Sequence, residues 1–237
     1  MGFGRKFARR QQGNPPKRPV KLDVSLVPPG RNEIGLQGEY RRHSLESSEA
    51  AARFLARVEK PVVWVVGPGE PGNLLEHFID SLHREQASVG RPPDVALHLT
   101  DTYFDLLGSL HKRFSQKSGV RIFLHPGRFP RVDSTPPVLP HAVFLQNVSQ
   151  FLTDEEQEAA AALVAGILQP GGRLYYTYSN PQVRLKTVRL AGNTVDTSLH
   201  TDSRRFHDAV GRRMTVVQSK PVSGEPVRYA VAEKRGG

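Results

Sequence analysis

The 237-residue sequence contains no cysteine, and this absence excludes several classes of functional site. Disulfide bonds, thiolate-ligated metal centres and a cysteine nucleophile all depend on that residue type. The nine histidines also lack the spacings His-x-x-x-His and His-Glu-x-x-His, which are typical of zinc sites. The sequence therefore predicts no metal site.

Long hydrophobic runs are absent as well. No apolar run approaches the roughly 20 residues that a transmembrane helix needs, and no hydrophobic signal core lies near residue 1. We therefore expect no association with a membrane and a cytoplasmic location. The composition, with 38% hydrophobic and 24% charged residues, is compatible with a soluble globular protein. A chain of this length can bury one sizeable core.

Acidic residues are missing from residues 1–22, which contain seven Lys and Arg side chains. Residues 1–42 together carry a net charge of +7 out of the total of +10. We assign residues 1–42 to a basic, Pro/Gly-rich N-terminal arm that is expected to be partly disordered, and residues 43–237 to one folded domain. The arm could bind nucleic acid, serve as a solubilising tail or act as a presequence.

A buried strand followed by a glycine-rich turn forms the centre of the predicted domain. The apolar run Val62–Val66 ends at Gly67, and Gly69 and Gly72 complete a G-x-G-x-x-G spacing. A helical pattern follows at once, which is the context in which this spacing indicates a ligand-binding loop. The glycines allow a tight turn and a close approach of the backbone to a ligand. The alternative is a plain turn between a strand and a helix.

The rest of the domain alternates between strand and helix patterns. Large apolar runs predict five parallel strands, with a helix starting at Ser44 before the first of them and helices between the strands, one of them capped by Thr153 and Glu156. The five predicted strands cover residues 62–66, 95–99, 120–124, 143–146 and 174–178. Two further strands, preceded by a short helix capped by Thr201, form an antiparallel pair at the end of the chain. The fold class is therefore α/β, a doubly wound, mostly parallel, Rossmann-like sheet with a C-terminal antiparallel strand pair.

This order of elements resembles the class I S-adenosylmethionine-dependent methyltransferases over most of residues 44–234. Residues 67–74, GPGEPGNL, look like the first glycine loop of that family. Residues 143–178 are similar to its fourth strand, the following loop, a capped helix and the PGG turn into the fifth strand. The resemblance implies an S-adenosylmethionine pocket above the carboxyl ends of the strands.

The resemblance also implies roles for individual residues in the pocket. Gly67, Gly69 and Gly72 would hold the methionine part of the cofactor, and Asp101 would bind both ribose hydroxyls. The adenine contacts would be Arg128 and Phe129, and Asn147 would line the pocket near the transferred methyl group. Other roles stay open for three of these residues: Asp101 could cap a helix, Phe129 could fill the core and Asn147 could be a turn residue.

The sequence departs from the family pattern at several positions. An acidic residue is usual where Val65 stands, Pro71 lengthens the glycine loop, and Arg128 and His141 occupy positions where Asp is common. These departures leave a catalytically silent methyltransferase fold, acting as a nucleic-acid or protein binding module, as the alternative function. A nicotinamide-dependent oxidoreductase also fits the glycine spacing and Asp101.

No catalytic dyad can be recognised in the sequence. Methyl transfer depends mainly on alignment of donor and nucleophile, so little acid–base machinery is needed. His125, His141 and Tyr178 are expected at strand ends near the pocket, and each could deprotonate a nucleophile. The methyl acceptor, nucleic acid or small molecule, is not specified by any motif.

Overall fold

The computed structural model describes most of the chain after residue 37. The described residues are 38–68, 73–102, 104–131, 133, 135–146, 148–149, 152–179, 189–190, 193–194, 202–221 and 227–236. Residues 1–37, on which most of the predicted basic arm falls, lie outside them. Within the described part, no helix is both long and apolar enough to cross a membrane.

Five helices and nine strands are described. The helices are α1 (Gly38–Leu55), α2 (Asn73–Ser88), α3 (Phe104–Phe114), α4 (Asp154–Ile167) and α5 (Arg204–Arg213). The first five strands are β1 (Val62–Val66), β2 (Val95–Asp101), β3 (Val120–Pro126), β4 (Ala142–Leu145) and β5 (Arg173–Ser179). They are followed by β6 (Arg189–Leu190), β7 (Asn193–Thr194), β8 (Thr215–Pro221) and β9 (Val227–Glu233).

Seven strands form one sheet in the order β3-β2-β1-β4-β5-β9-β8. The five strands β3-β2-β1-β4-β5 pair parallel with one another, as the alternating pattern predicts. The strand β9 pairs antiparallel with β5 and with β8, and so closes the sheet with an antiparallel pair. The strands β6 and β7 form a separate two-stranded hairpin. The predicted fold class is confirmed.

Both faces of the sheet are buried under helices, which explains the nearly continuous apolar runs of the parallel strands. One core cluster joins α1, α2 and α3 to one face and includes the fully buried Leu97 and Ile79. The other joins α4 and α5 to the opposite face and includes Trp64 and Phe206, each with no exposed surface. The sheet therefore has two separate hydrophobic layers, and the carboxyl ends of its parallel strands lie along one edge.

Several element boundaries differ from the sequence-based expectation. Helix α1 begins at Gly38 rather than Ser44. Ser44 lies inside the helix, and its carbonyl accepts a hydrogen bond from the Ser48 hydroxyl. The N-cap of α5 is Ser203 rather than Thr201. The Thr153–Glu156 capping box is confirmed, with both reciprocal hydrogen bonds present.

One predicted core residue of α3 is exposed. The helical period predicts that Phe104 faces inward, but 65% of its surface is exposed. The buried stripe of α3 is formed instead by Leu106, Leu107, Leu110 and Phe114. Phe104 is the first residue of the helix, which follows β2 in the chain.

Candidate functional site

Gly67 begins the turn that follows β1, and its backbone conformation requires glycine. Its φ angle is +61°, in the left-handed region that other residue types rarely adopt. A Cβ atom at this position would lie 2.8 Å from the Cγ2 atom of Val148, in the segment after β4. The turn is thus packed tightly against the neighbouring loop, as the first glycine of a ligand-binding loop is expected to be. Gly69 and Gly72 lie outside the described residues, so their roles stay predictions.

Asp101 is the last residue of β2 and lies beside this turn. The Gly67 amide donates to the Thr100 carbonyl at 2.8 Å, and the Gly127 amide donates to the Asp101 carbonyl at 3.0 Å. Asp101 therefore lies between the turn after β1 and the turn after β3. Helix α3 begins at Phe104, so Asp101 is not the residue that immediately precedes the helix. Its position is compatible with the predicted contact to a ribose.

Arg128 and Phe129 follow the turn after β3 but point to different surroundings. The Arg128 guanidinium is half exposed and forms an ion pair with Glu156 of the capping box, at 2.9 Å. The Phe129 ring is 5% exposed and packs edge-on against Trp64, with ring centroids 5.5 Å apart. This packing matches the alternative role of Phe129 as a core residue. The predicted adenine contacts of both residues stay predictions.

The segment after β4 connects the glycine turn to the end of β5. Val148 faces Gly67, and the buried Ser149 hydroxyl donates to the Thr177 carbonyl at 2.8 Å. Gln146, directly after β4, donates through its side-chain amide to the Ser47 hydroxyl of α1 at 3.2 Å. Asn147 lies outside the described residues. The ends of β1, β2, β4 and β5 therefore meet at one edge, where the sequence places the pocket.

His125 lies at this edge but is engaged with a second histidine that the sequence does not single out. Its Nε2 atom is 2.8 Å from Nδ1 of His98, and the two rings are stacked with centroids 5.1 Å apart. His98 is 4% exposed, and Phe123 stacks on its other side at 4.7 Å. Burial lowers the pKa of His125, and burial together with His125 lowers the pKa of His98 to about 4. Both imidazoles are therefore neutral at physiological pH.

The expectation that His141 lies near the pocket is wrong. His141 precedes β4, so it lies at the amino edge of the sheet, opposite the carboxyl ends where the site is expected. Its Nδ1 atom accepts a hydrogen bond from the Val62 amide at 3.1 Å, at the start of β1. Burial lowers the pKa of His141, which suits an imidazole that accepts this bond in its neutral form. The residue joins two strand starts and is a structural histidine.

Tyr178, the third catalytic candidate, lies at the carboxyl end of β5 within a polar cluster. Its ring is stacked on the imidazole of His207 in α5, with centroids 3.9 Å apart and an interplanar angle of 5°. The hydroxyl of Tyr176, two residues earlier on the same strand face, lies 2.7 Å from Nδ1 of His207. Burial lowers the pKa of His207, Asp208 opposes this shift, and Arg228 adds to it. The ring is therefore held neutral at physiological pH.

Two further side chains complete the cluster. The Tyr178 hydroxyl lies 2.9 Å from the Ser219 hydroxyl of β8 and accepts a hydrogen bond from Nε of Arg228 at 3.1 Å. Arg228 is directly opposite Tyr178 in the β5–β9 register, so the two side chains share a face. Together with His207 and Tyr176, these residues form what we term the tyrosine–histidine cluster (Tyr176, Tyr178, His207, Ser219 and Arg228).

Three members of the tyrosine–histidine cluster, Tyr178, His207 and Arg228, line a groove of about 800 Å³ beside α4, α5 and the start of β9. The groove also contains several charged side chains that form ion pairs with each other, so their charges largely cancel. The pairs are Arg204 with Asp202, Arg205 with Asp154, and Arg212 with Glu158. Among the described residues, no carboxylate lies within ion-pair distance of Arg228.

Sequence reasoning missed His98, His207 and Arg228. A single histidine inside a strand or helix has no spacing partner, so no local signal identifies it. The one available signal is the i, i+2 repeat of Tyr176 and Tyr178, which places two hydroxyls on one strand face. The described part of the chain contains no group of three potential metal-ligating side chains.

Comparison with known proteins shows similarity at the level of structure only. No family model matches the sequence, and no curated protein is significantly similar to it. The N-methyltransferase NodS from Bradyrhizobium japonicum WM9, solved with S-adenosyl-l-homocysteine, superimposes with a TM-score of 0.58 at 12% identity. That match covers 88% of this chain and 94% of NodS.

Two other methyltransferases match over a similar range. One is an S-adenosylmethionine-dependent methyltransferase from Clostridium acetobutylicum ATCC 824, with a TM-score of 0.57, 8% identity, and coverage of 82% of this chain and 92% of that one. The other is magnesium protoporphyrin IX methyltransferase from Synechocystis PCC 6803, with a TM-score of 0.53, 13% identity, and coverage of 82% and 83%. The chain therefore has the class I methyltransferase fold at low sequence identity.

Proposed function

We propose that the protein is an S-adenosylmethionine-dependent methyltransferase. The observation that supports this most is the strand order β3-β2-β1-β4-β5-β9-β8 with its single antiparallel insertion. The structural neighbours with this fold are methyltransferases, and NodS was crystallised with the product form of the cofactor. An open α/β sheet is expected to bind its ligand at the point where the strand order reverses, which here lies between β1 and β4.

The residues at this switch point fit the cofactor. Gly67 presents bare backbone in a turn where a Cβ atom would meet Val148. Asp101 ends the adjacent strand, where its carboxylate can accept hydrogen bonds from a pair of ribose hydroxyls. When bound, S-adenosylmethionine supplies an electrophilic methyl group. The chain's own contribution is then to bind the cofactor and to align the acceptor, which can lower a reaction barrier by up to about 7–11 kcal/mol.

The proposal is tested by isothermal titration of the full chain with S-adenosylmethionine, S-adenosylhomocysteine and NAD. We expect binding of the first two and none of NAD. Asp101→Asn should weaken binding by about 1–3 kcal/mol, because a charge-assisted hydrogen bond to the ribose is lost. Asp105→Asn is the matched control: Asp105 lies four residues away in the exposed first turn of α3, and its replacement changes the net charge equally.

Three results would change the proposal. Absence of binding at millimolar S-adenosylmethionine would favour the silent-fold alternative, and binding of NAD alone would favour an oxidoreductase. Equal affinities of wild type and Asp101→Asn would remove the ribose role of Asp101. The basic composition of residues 1–22 supports nucleic acid as one acceptor class. The assignment of a separate basic arm stays a proposal for residues 1–37, since helix α1 of the domain begins at Gly38.

A further inference from the structure

The hydrogen-bonding groups of the tyrosine–histidine cluster are mostly donors. The Arg228 guanidinium has five N–H groups, of which Nε points to the Tyr178 hydroxyl and Nη2 lies 3.4 Å from the Ser219 hydroxyl. The Tyr178 and Ser219 hydroxyls share one hydrogen bond between them, so one of their two protons is available to a ligand. Nδ1 of His207 is engaged by Tyr176, which leaves Nε2 as its remaining ring nitrogen.

The charges in the groove are not balanced at Arg228. Three arginines of α5 each pair with a carboxylate, namely Asp202, Asp154 and Glu158. In the described part of the chain, Arg228 contacts only hydroxyl groups. A guanidinium that is partly buried without a carboxylate partner favours an anionic ligand, since a bidentate oxyanion satisfies its planar fork. Asp208, the remaining acidic side chain of the groove, is exposed.

The position of the cluster suits a ligand that reaches the predicted cofactor site. Tyr178 follows Thr177, whose carbonyl accepts the hydrogen bond from Ser149. Ser149 follows Val148, which faces Gly67. The cluster is thus separated from the glycine turn by one short segment of packed loop.

We infer that Arg228, Tyr178 and Ser219, flanked by His207, bind an oxyanion group of the ligand that enters this groove. The oxyanion is a carboxylate or a phosphate, since both match the donors present. That this oxyanion belongs to the methyl acceptor rests on the proposed function, whereas the binding of the anion does not.

The test uses the full chain and two simple probes, sodium acetate and inorganic phosphate, at constant ionic strength. Ring signals of His207 are followed by NMR and assigned with His207→Gln. We expect one probe to shift them saturably and to raise the pKa of His207, because a bound anion beside the imidazole favours its protonated form. A saturable shift of the His207 signals with acetate alone indicates a carboxylate ligand, and one with phosphate alone indicates a phosphate ligand.

Two variants and one control make the test specific. Arg228→Gln should weaken the probe's binding at least tenfold, the equivalent of about 1.4 kcal/mol. Arg121→Gln removes the same charge from an exposed arginine that pairs with Asp94, and should leave binding unchanged. Ser219→Ala, at an exposed position on β8, removes one donor without burying a new group, and should weaken binding even if Arg228→Gln does not fold.

A linear, non-saturating shift with both probes would overturn the inference, as would equal binding by wild type, Arg228→Gln and Ser219→Ala. S-adenosylmethionine binding is measured on the same samples. If the cofactor binds and neither anion does, the oxyanion site is wrong and the methyltransferase proposal stands. If an anion binds and the cofactor does not, the oxyanion site stands and the methyltransferase proposal fails.

Discussion

The carboxyl edge of the sheet has two halves that are built in different ways. The glycine-turn half, at the ends of β1, β2 and β3, is held by backbone hydrogen bonds from Gly67 and Gly127. The tyrosine–histidine half, at the ends of β5, β8 and β9, is held by side chains. Its contacts join Tyr176 to His207, Tyr178 to Ser219 and Tyr178 to Arg228, across 31, 41 and 50 residues of sequence.

This difference determines what each half can tolerate. A backbone-built turn depends on φ angles and on close approach, so it is sensitive to a single added methyl group but not to the identity of most side chains. A side-chain cluster depends on the elements that carry its members being fixed relative to each other. We therefore expect the tyrosine–histidine half to be most vulnerable at the contacts that dock α5.

Gln157→Leu should give the largest effect, because this residue docks the start of α5 onto α4. Gln157 is fully buried; its Nε2 donates to the Asp202 carbonyl and its Oε1 accepts from the Phe206 amide at 2.9 Å. Leucine removes both hydrogen bonds and leaves the amide of the buried Phe206 without this partner, so the free energy of unfolding should fall by about 2–4 kcal/mol. Denaturant unfolding measures the change.

The matched control is Gln169→Leu, whose amide bonds the Leu139 carbonyl at an exposed position. It should change the unfolding free energy by no more than about 0.5 kcal/mol. If the two glutamines gave equal losses, α5 would be docked by apolar packing alone, and the proposed contrast between the two halves would not hold.

Gly67→Ala tests the glycine-turn half and should cost about 2 kcal/mol of unfolding free energy. Part of this cost is the left-handed φ of +61°, and part is the overlap of the new Cβ with Val148. Gly90→Ala separates the two parts, since Gly90 has φ +73° but nothing within 4 Å of an added Cβ. It should cost about 1 kcal/mol.

Calorimetric titration of Gly67→Ala with S-adenosylmethionine extends this test to the cofactor. We expect weaker binding by Gly67→Ala and unchanged binding by Gly90→Ala. Equal unfolding costs for the two variants would show that Val148 moves freely, and that the turn is not held against the segment after β4.

The two halves also differ in how far they could be predicted from sequence. The central parallel strands were predictable because a strand buried on both faces must be apolar along its whole length, as Val62–Val66 is. The Thr153–Glu156 capping box was predictable because its hydrogen bonds span only three residues. Gly67 and Asp101 could be placed at one edge because parallel strands end there together.

The remaining features depend on tertiary contacts that leave no local pattern. His141 is an exception: it precedes its strand whereas His125 lies at the end of one, so in a parallel sheet the sequence already places the two at opposite edges. His207 gains its partners from β5, and Arg228 faces Tyr178 only through the antiparallel register of β9. The exposure of Phe104 at the first residue of α3 is likewise not reported by helical periodicity.

The glycine-turn half contains one feature that resembles the other half, the ring stack of Phe123, His98 and His125, in which His98 is buried. His98 lies two residues before Thr100, and its neighbour on β1 is Trp64. An ionisable ring at this depth makes stability depend on pH. The pKa of His98 is about 4 in the folded chain, against an ordinary value of 6.5. As the pH falls, the unfolded chain therefore binds a proton at His98 before the folded chain does. The stability that the neutral His98 contributes is present above about pH 6.5 and is lost progressively towards pH 4.

His98→Phe should remove this dependence and has the smallest expected effect. Between pH 6.5 and pH 5, the linkage for His98 lowers the wild-type unfolding free energy by about 1.5 kcal/mol. The unfolding free energy of the variant should fall less over this pH range, by the amount due to His98, because phenylalanine keeps the stacking on Phe123 but binds no proton. Denaturant unfolding at both pH values measures the difference. His111→Phe, which removes an exposed imidazole on α3, is the control and should retain the wild-type slope. If His98→Phe also retained it, the acid sensitivity would lie outside the stack, and the glycine-turn half would depend on its backbone alone.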